Sequence, residues 1–218
     1  MKILAFGEIL FDIDTAKNES ILGGAPMNFC SHLTKLGAEG YMLSAVGNDE
    51  LGREALRYAD TFGVKKDYVL LSEKPTGKCL ITYNNGEPSY DLGMISAYDY
   101  IEITDEIVND IKSEKFDVFY IGTLAQRNDV SSSSLDKILA EAEFSTVFYD
   151  MNLRQHYHTR EIIEKSLSAC NILKINREEY DFLLQQGYAQ NKEELAEKYN
   201  IDIVLLTLDK AGAEVYGK

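Results

Sequence analysis

The polar residues that could do chemistry fall into a few short clusters. Gly23 and Gly24 stand directly in front of a helical pattern, with Asn28 in its first turn. Glycine lacks Cβ and takes up positive φ, so such a pair lets backbone approach a ligand closely; it serves equally well in a tight strand-to-helix turn. Asp150, Asn152 and Arg154 alternate at the end of an apolar run. They read either as a solvated strand end or as a ligand edge where Arg154 offers a fork of donors to a hydroxylated or carboxylated molecule. Asn176 and Glu179 read as a helix start, with the amide as cap and acids where the macrodipole favours them. The alternative is contact to a hydrated Mg²⁺ near a nucleotide. Asp12 and Thr207 complete the set, each beside an apolar run.

Several familiar chemistries are excluded. Gly7-Glu8-Ile9-Leu10 does not supply the GxGxxG of a dinucleotide fold, and Gly77-Lys78 has Ser72 where a P-loop needs glycine and Cys79 where it needs Ser or Thr. His156 and His158 lack a nearby third metal ligand and are assigned nothing. Ser131 to Ser134 read as a helix start supplying N-cap hydroxyls, since a nucleophilic serine would need a GxSxG-type elbow.

The elements that must position these clusters alternate. An apolar run at 2–6 predicts a buried strand. A helix from Pro26 follows, with Phe29, Leu33 and Leu36 on one face and Gly37 as its stop. Next come a strand at 41–46 and a helix at 49–62 ending before Gly63. Runs at 79–83 and 88–92 flank Asn84-Asn85-Gly86, which predicts an antiparallel hairpin added to the sheet as a flap. After Thr104, a predicted N-cap, the alternation resumes. Helices are expected at 105–113, 131–143, 160–169, 177–186 and 192–199, and strands at 116–121, 146–149, 171–175 and 203–207. Apolar strands separated by helices imply an α/β fold with a parallel sheet covered on both faces. Ligands bind such sheets beyond the carboxyl ends of the strands, so Asp12, the 150–154 cluster, Asn176 and Thr207 are all expected on one rim.

Composition narrows the class. With 45% hydrophobic and 27% charged residues the 218-residue chain reads as an ordinary globular protein. A net charge of -14 without a basic stripe argues against nucleic acid as a partner. Cys30, Cys79 and Cys170 are an odd number without a CxxC pair, which suits a reducing compartment. Glu8 and Asp12 interrupt the N-terminal apolar stretch too early for a signal peptide, and no segment approaches the length that spans a bilayer. A cytoplasmic location without membrane association is expected.

Taken in order, GEILFD at 7–12, GGAPMNFCSHLTKLG at 23–37, VGNDELGREALRYADTFGV at 46–64, GTLAQR at 122–127, DMNLR at 150–154, NREE at 176–179 and TLDKAG at 207–212 resemble the PfkB (ribokinase-like) carbohydrate kinases. The first two blocks are the more specific, and GEILFD with GGAPMN and DMNLR is most similar to the bacterial fructokinase branch. The resemblance implies a three-layer α/β/α domain with a mostly parallel sheet and a small β lid over the sugar, its strands drawn from about 10–22 and 78–95. It implies ATP and Mg²⁺ as cofactors, transfer of the γ-phosphate to a sugar hydroxyl with fructose as substrate, and a homodimer formed through the lid.

Carried over by position, Asp12, Gly23, Gly24 and Asn28 would hold sugar hydroxyls and Arg154 would add a contact. Asn176 and Glu179 match the family's NxxE, associated with magnesium and phosphate, and Thr207 would begin the segment lining the nucleotide. Asp209 stands where the family usually has glycine. The family's general-base aspartate lies in a GAGD segment further along than Lys218. The 218 residues are therefore expected to be the N-terminal portion of one kinase domain, without a catalytic base of their own and inactive alone. Other readings are a kinase for 2-keto-3-deoxygluconate, ribose or a nucleoside, or an inactive sugar-binding homologue. YDLGMIS at 90–96 lacks the arginine that some relatives use to hold acid sugars, which leans away from them.

Overall fold

The computed structural model describes residues 1–84 and 86–218. The chain runs β1 (Lys2–Phe6), β2 (Leu10–Asp14), β3 (Glu19–Gly23), α1 (Ala25–Lys35), β4 (Glu39–Gly47), α2 (Glu50–Phe62) and β5 (Lys65–Ser72). The hairpin β6 (Gly77–Asn84) and β7 (Glu87–Asp91) follows, then α3 (Asp105–Glu114), β8 (Val118–Gly122), α4 (Asp129–Glu141), β9 (Thr146–Asp150) and α5 (Arg160–Ala169). The last elements are β10 (Ile172–Asn176), α6 (Arg177–Gln185), α7 (Lys192–Tyr199), β11 (Ile203–Thr207) and β12 (Ala213–Gly217).

Eight strands form the central sheet in the order β12-β11-β10-β9-β8-β1-β4-β5. All neighbours are parallel except the edge pair β11 and β12. Alternation along the strands splits the core into two layers. Ala5 and Met42 face α1 and α2 through Met27, Cys30, Ala55 and Ala59; Leu4, Phe6, Leu43 and Phe119 face the other helices through Ile111, Leu135 and Leu167. Buried Val, Ile, Leu and Phe on both faces are what a parallel sheet between helices demands. The β5 strand had no counterpart in the pattern of the sequence: Lys65-Lys66-Asp67 opens it with charge, which an edge strand tolerates.

Local signals set the boundaries. Asp49 caps α2 by accepting from the Gly52 N–H at 2.8 Å, and Gly63 ends the helix at φ +70°. Thr104 caps α3 as expected. The serine cluster does not begin α4. That helix starts at Asp129 under an Asn128 cap, while the buried Ser131 and Ser134 hydroxyls accept from the N–H groups of Ile101 and Ile103, and Ser131 also donates to the Tyr98 carbonyl. They tie the return segment of the hairpin to α4.

The hairpin is not a flap on the main sheet. It joins a separate four-stranded sheet, β3-β2-β6-β7, in which β2 pairs antiparallel with β3 and parallel with β6. The expected turn at 84–86 includes Asn85, which lies outside the described residues; Asn84 and Glu87 on either side are paired.

Candidate functional site

The small sheet stands over the carboxyl ends of the central strands and borders an open cavity of about 630 Å³. Leu10, Asp12, Ile21, Cys79, Ile81, Tyr90 and Leu92 line it from the lid, Glu8 and Leu124 from beyond β1 and β8, and residues 152–155 from beyond β9. Gly24, Ala25 and Asn28 at the start of α1 close the remaining side. The cavity thus sits beside β1 and β8, where the chain's strand order reverses direction, which is where open α/β sheets take their ligands.

The two glycines of the corner are needed for different reasons. Gly24 lies at φ +103°, and a Cβ there would collide with the Glu8 carbonyl oxygen. Gly23 is free of that strain, but a Cβ on it would stand 2.6 Å from Asp12 Oδ2. Removing both Cβ atoms lets the corner close onto Glu8 and Asp12 and presents Asn28 one turn into α1, where its N–H bonds the Gly24 carbonyl at 2.9 Å.

Asp12 is not on the rim of the central sheet. It lies within β2, in register with Ile21 and Cys79, and reaches the cavity from the lid side. The sequence placed it after the first strand because the turn that sends β2 into a second sheet leaves no local mark. Burial raises the Asp12 carboxyl, opposed by the Cys79 thiol and the Arg154 charge. The same burial, with Asp12 beside it, pushes the Cys79 thiol up to about 11, so it is a protonated hydrogen-bonding group rather than a nucleophile.

Opposite the lid, the loop after β9 holds Arg154 against the cavity. Its backbone is unusual: Asn152 and Gln155 lie at φ +38° and +47°. Gln155 donates to the Tyr90 carbonyl of β7 at 2.5 Å and Tyr157 to the Gly93 carbonyl at 3.3 Å. Arg127 donates to the same Gly93 carbonyl while forming a buried pair with Asp99 at 2.7 and 2.8 Å. These contacts fix the base of the lid to the rim. Asp150 is no solvated strand end: Tyr120 donates to it at 3.1 Å and Lys174 at 2.9 Å.

A family model described as pfkB family carbohydrate kinase matches residues 10–218. The chain belongs to the PfkB family of carbohydrate kinases. Among named relatives, an ATP-dependent 6-phosphofructokinase from Thermoanaerobacterium thermosaccharolyticum is 24% identical over 212 residues, a match covering 94% of this chain and 64% of the relative. A fructokinase from Solanum tuberosum is 25% identical over 232 residues, covering 99% of this chain and 70% of the relative. The crystal structure of apo fructokinase from Vibrio cholerae O395 superposes with a TM-score of 0.83 at 22% identity, over 99% of this chain and 77% of that one. The chain therefore spans just under two thirds of the length of the phosphofructokinase, and the V. cholerae likeness shows a shared fold.

The remaining residues expected from the PfkB pattern gather beyond the cavity, at the ends of β10 and β11. Asn176 and Glu179 form a capping box: Asn176 Oδ1 accepts from the Glu179 N–H at 2.9 Å, and Glu179 Oε2 from the Asn176 N–H at 2.8 Å. Glu179 Oε1 accepts from the Leu153 N–H at 2.9 Å, so this buried carboxylate links the second cluster to the cavity rim. Burial raises its carboxyl against those two backbone bonds. Thr207, in register with Asn176, donates to the Ile175 carbonyl at 3.3 Å. Asp209 lies at φ +48°, the left-handed conformation that suits the glycine usual there.

Of the expected residues, Asp12, Gly24, Asn28 and Arg154 line one cavity; Gly23 supports it, and Asn176, Glu179 and Thr207 stand outside it. Sequence reasoning missed Glu8, which lines the cavity and is 3% exposed. Its signal was a lone carboxylate straight after a buried strand. Tyr120 and Lys174 were missed because each lies inside an apolar run, where only the fold shows that it reaches Asp150.

Proposed function

We propose that the protein is an ATP-dependent sugar kinase, and that the lid cavity holds fructose while the γ-phosphate is transferred to one of its hydroxyls. The observation that carries this reading is the convergence of Asp12, Asn28 and Arg154 with the backbone of the Gly24 corner on one cavity beneath the small sheet. A carboxylate, an amide, a guanidinium and backbone groups suit a molecule made of hydroxyls, while Leu10, Ile21, Ile81 and Tyr90 suit its C–H faces. The cavity wall carries two carboxylates, Glu8 and Asp12, against a single arginine. That balance favours a neutral sugar over an acid sugar such as 2-keto-3-deoxygluconate.

The nucleotide would lie across the ends of β10 and β11, near Asn176 and Thr207. Among the described residues no three His, Cys, Asp or Glu side chains converge as a metal cage. This fits Mg²⁺ that arrives on the ATP phosphates and keeps its waters, with Glu179 meeting it through water. The ion would neutralise phosphate charge. The work of the described residues is positioning: they hold the sugar, exclude water with the lid and orient the Asp150-Lys174 pair at the phosphate end.

The lid supplies the interface for a homodimer. β3 and β7 are open edges of the lid sheet that a second copy would cover. Sedimentation that shows only monomer at micromolar concentration would remove this part. Buried, unpaired Cys30, Cys79 and Cys170 accord with a cytoplasmic protein, and among the described residues no helix is long and apolar enough to cross a membrane.

The test is a panel of fructose, ribose, a nucleoside, 2-keto-3-deoxygluconate and fructose 6-phosphate in a coupled ADP-release assay on the full-length protein. The reading expects turnover to be greatest with fructose. Preference for another sugar would change the substrate and keep the class; sugar binding without ADP release would leave a binding protein.

A further inference from the structure

The carboxyl of Glu8 has no role in the reading of the sequence, yet it is the most deeply buried acid in the cavity wall. It follows β1 and is held on two sides. Its backbone carbonyl is the atom against which Gly24 packs, and its Oε1 accepts from the Ala25 N–H, at the first residue of α1, at 3.2 Å. Its other oxygen, Oε2, has no hydrogen-bond partner among the described residues. A carboxylate oxygen buried without a partner is destabilising, and chains retain such a group where a ligand completes it.

We propose that Glu8 is a second sugar-recognising carboxylate, whose Oε1 fixes the Gly24 corner and whose Oε2 accepts a hydrogen bond from a sugar hydroxyl. The proposal rests on the sugar-kinase reading of the same cavity and adds a residue to it. Glu8 and Asp12 then reach the sugar from either side of the Gly23-Gly24 corner, Glu8 from the end of β1 and Asp12 from the lid strand β2, and the Arg154 charge acts on both carboxyls. Two acceptors held by different elements of the cavity wall discriminate where hydroxyl donors sit, which a single carboxylate cannot do.

The arrangement has a pH signature. Burial pushes the Glu8 carboxyl up to about 7. The backbone N–H groups of Glu8 and Ala25 lower it, as does Arg154 from the rim loop, while Asp150 at the end of β9 raises it. The Tyr98 and Tyr120 phenols also face it, both held protonated well above neutrality. A hydroxyl donated to Oε2 requires the carboxylate, so sugar binding displaces the proton and strengthens as pH rises through 7.

The experiment is calorimetric titration of full-length protein with D-fructose from pH 5.5 to 8.5, on wild type, Glu8→Gln and Asp12→Asn. Wild type is expected to tighten about tenfold across the range, and Glu8→Gln to bind about tenfold more weakly at pH 8 with a flat profile. Repeating the wild-type titration at pH 6.5 in buffers of different ionisation enthalpy needs no variant and is expected to show about half a proton released per sugar bound. Wild-type affinity and pH profile in Glu8→Gln, with Asp12→Asn weakened, would overturn the role of Glu8 and leave the sugar site standing. No proton release from wild type would overturn it as well. Failure of any sugar in the panel to bind wild type would overturn the cavity reading and this proposal together.

Discussion

The corner at Gly24 and the cluster at Asn176 and Glu179 are built from the same parts, a helix N-terminus and nearby carboxylates, and use them in opposite ways. At the second cluster every partner is internal: Asn176 caps α6, and both Glu179 oxygens accept backbone N–H groups. At the first, α1 has no side-chain cap, Gly24 takes a conformation other residues avoid, and Glu8 Oε2 has no partner among the described residues. A saturated helix start can serve folding alone. An unsaturated one, walled into a cavity, is kept for something that binds. The difference separates a corner left open for direct contact with the sugar from a cluster whose side chains are already spoken for and meet a ligand through water, where residue types cannot.

The contrast is broken most severely at Gly24. Gly24→Ala sets a Cβ against the Glu8 carbonyl at φ +103° and is expected to lower unfolding free energy by about 4 kcal/mol, summing strain and overpacking. Gly37→Ala, at φ +92° in open space, carries the strain without the collision and should lose about half as much. Denaturant titration of both checks the claim; equal losses would show that the contact with Glu8 is unimportant.

The next effect belongs to Glu8. Its carboxyl moves from an ordinary 4.5 to about 7 on folding. Between those values the folded chain holds a proton that the unfolded chain has released, so this group's contribution is present below pH 4.5 and lost as pH rises through 7, by up to about 3 kcal/mol. Glu8→Gln should remove that slope from a stability profile. A slope unchanged by the substitution would assign it to other groups.

Asn176→Ala sharpens the other side. Loss of the α6 cap is expected to reduce stability by about 1 kcal/mol while fructose affinity stays within about twofold, because no cavity-lining atom is removed. Smallest is Asp209→Gly, which relieves a left-handed backbone and should raise the melting free energy by about 0.5 kcal/mol. A loss there would mean that the Asp209 side chain holds something the backbone argument omits.

Much of this was legible in the sequence, for reasons that differ from residue to residue. The cap at Thr104 and the stop at Gly63 are local chemistry, and the structure uses them as read, while Asp49, read as the first helical residue, is the cap of α2 instead. The alternation that gave the parallel sheet is likewise written along each strand. The parallel pairing of β2 with β6 is not, because it joins segments separated by α1, β4, α2 and β5 and depends on a turn that carries no marker. For the same reason Asp12 was placed on the wrong sheet although it was correctly singled out. Ser131 and Ser134 misled because hydroxyls that cap a helix and hydroxyls that clamp a neighbouring loop look alike in sequence. Glu8 was passed over since its one local signal, a lone carboxylate straight after a buried strand, is shared by carboxylates that enter solvent and ones that enter a cavity.

The central claim is that the lid cavity, rather than the Asn176 cluster, holds the sugar. The most direct measurement is fructose affinity by calorimetry at pH 8 for wild type beside Asp12→Asn and Asn176→Ala in the full-length protein. The account predicts saturable fructose binding to wild type, a loss of roughly thirtyfold in Asp12→Asn and near-wild-type affinity in Asn176→Ala. Undiminished binding in Asp12→Asn with a comparable loss in Asn176→Ala would contradict it.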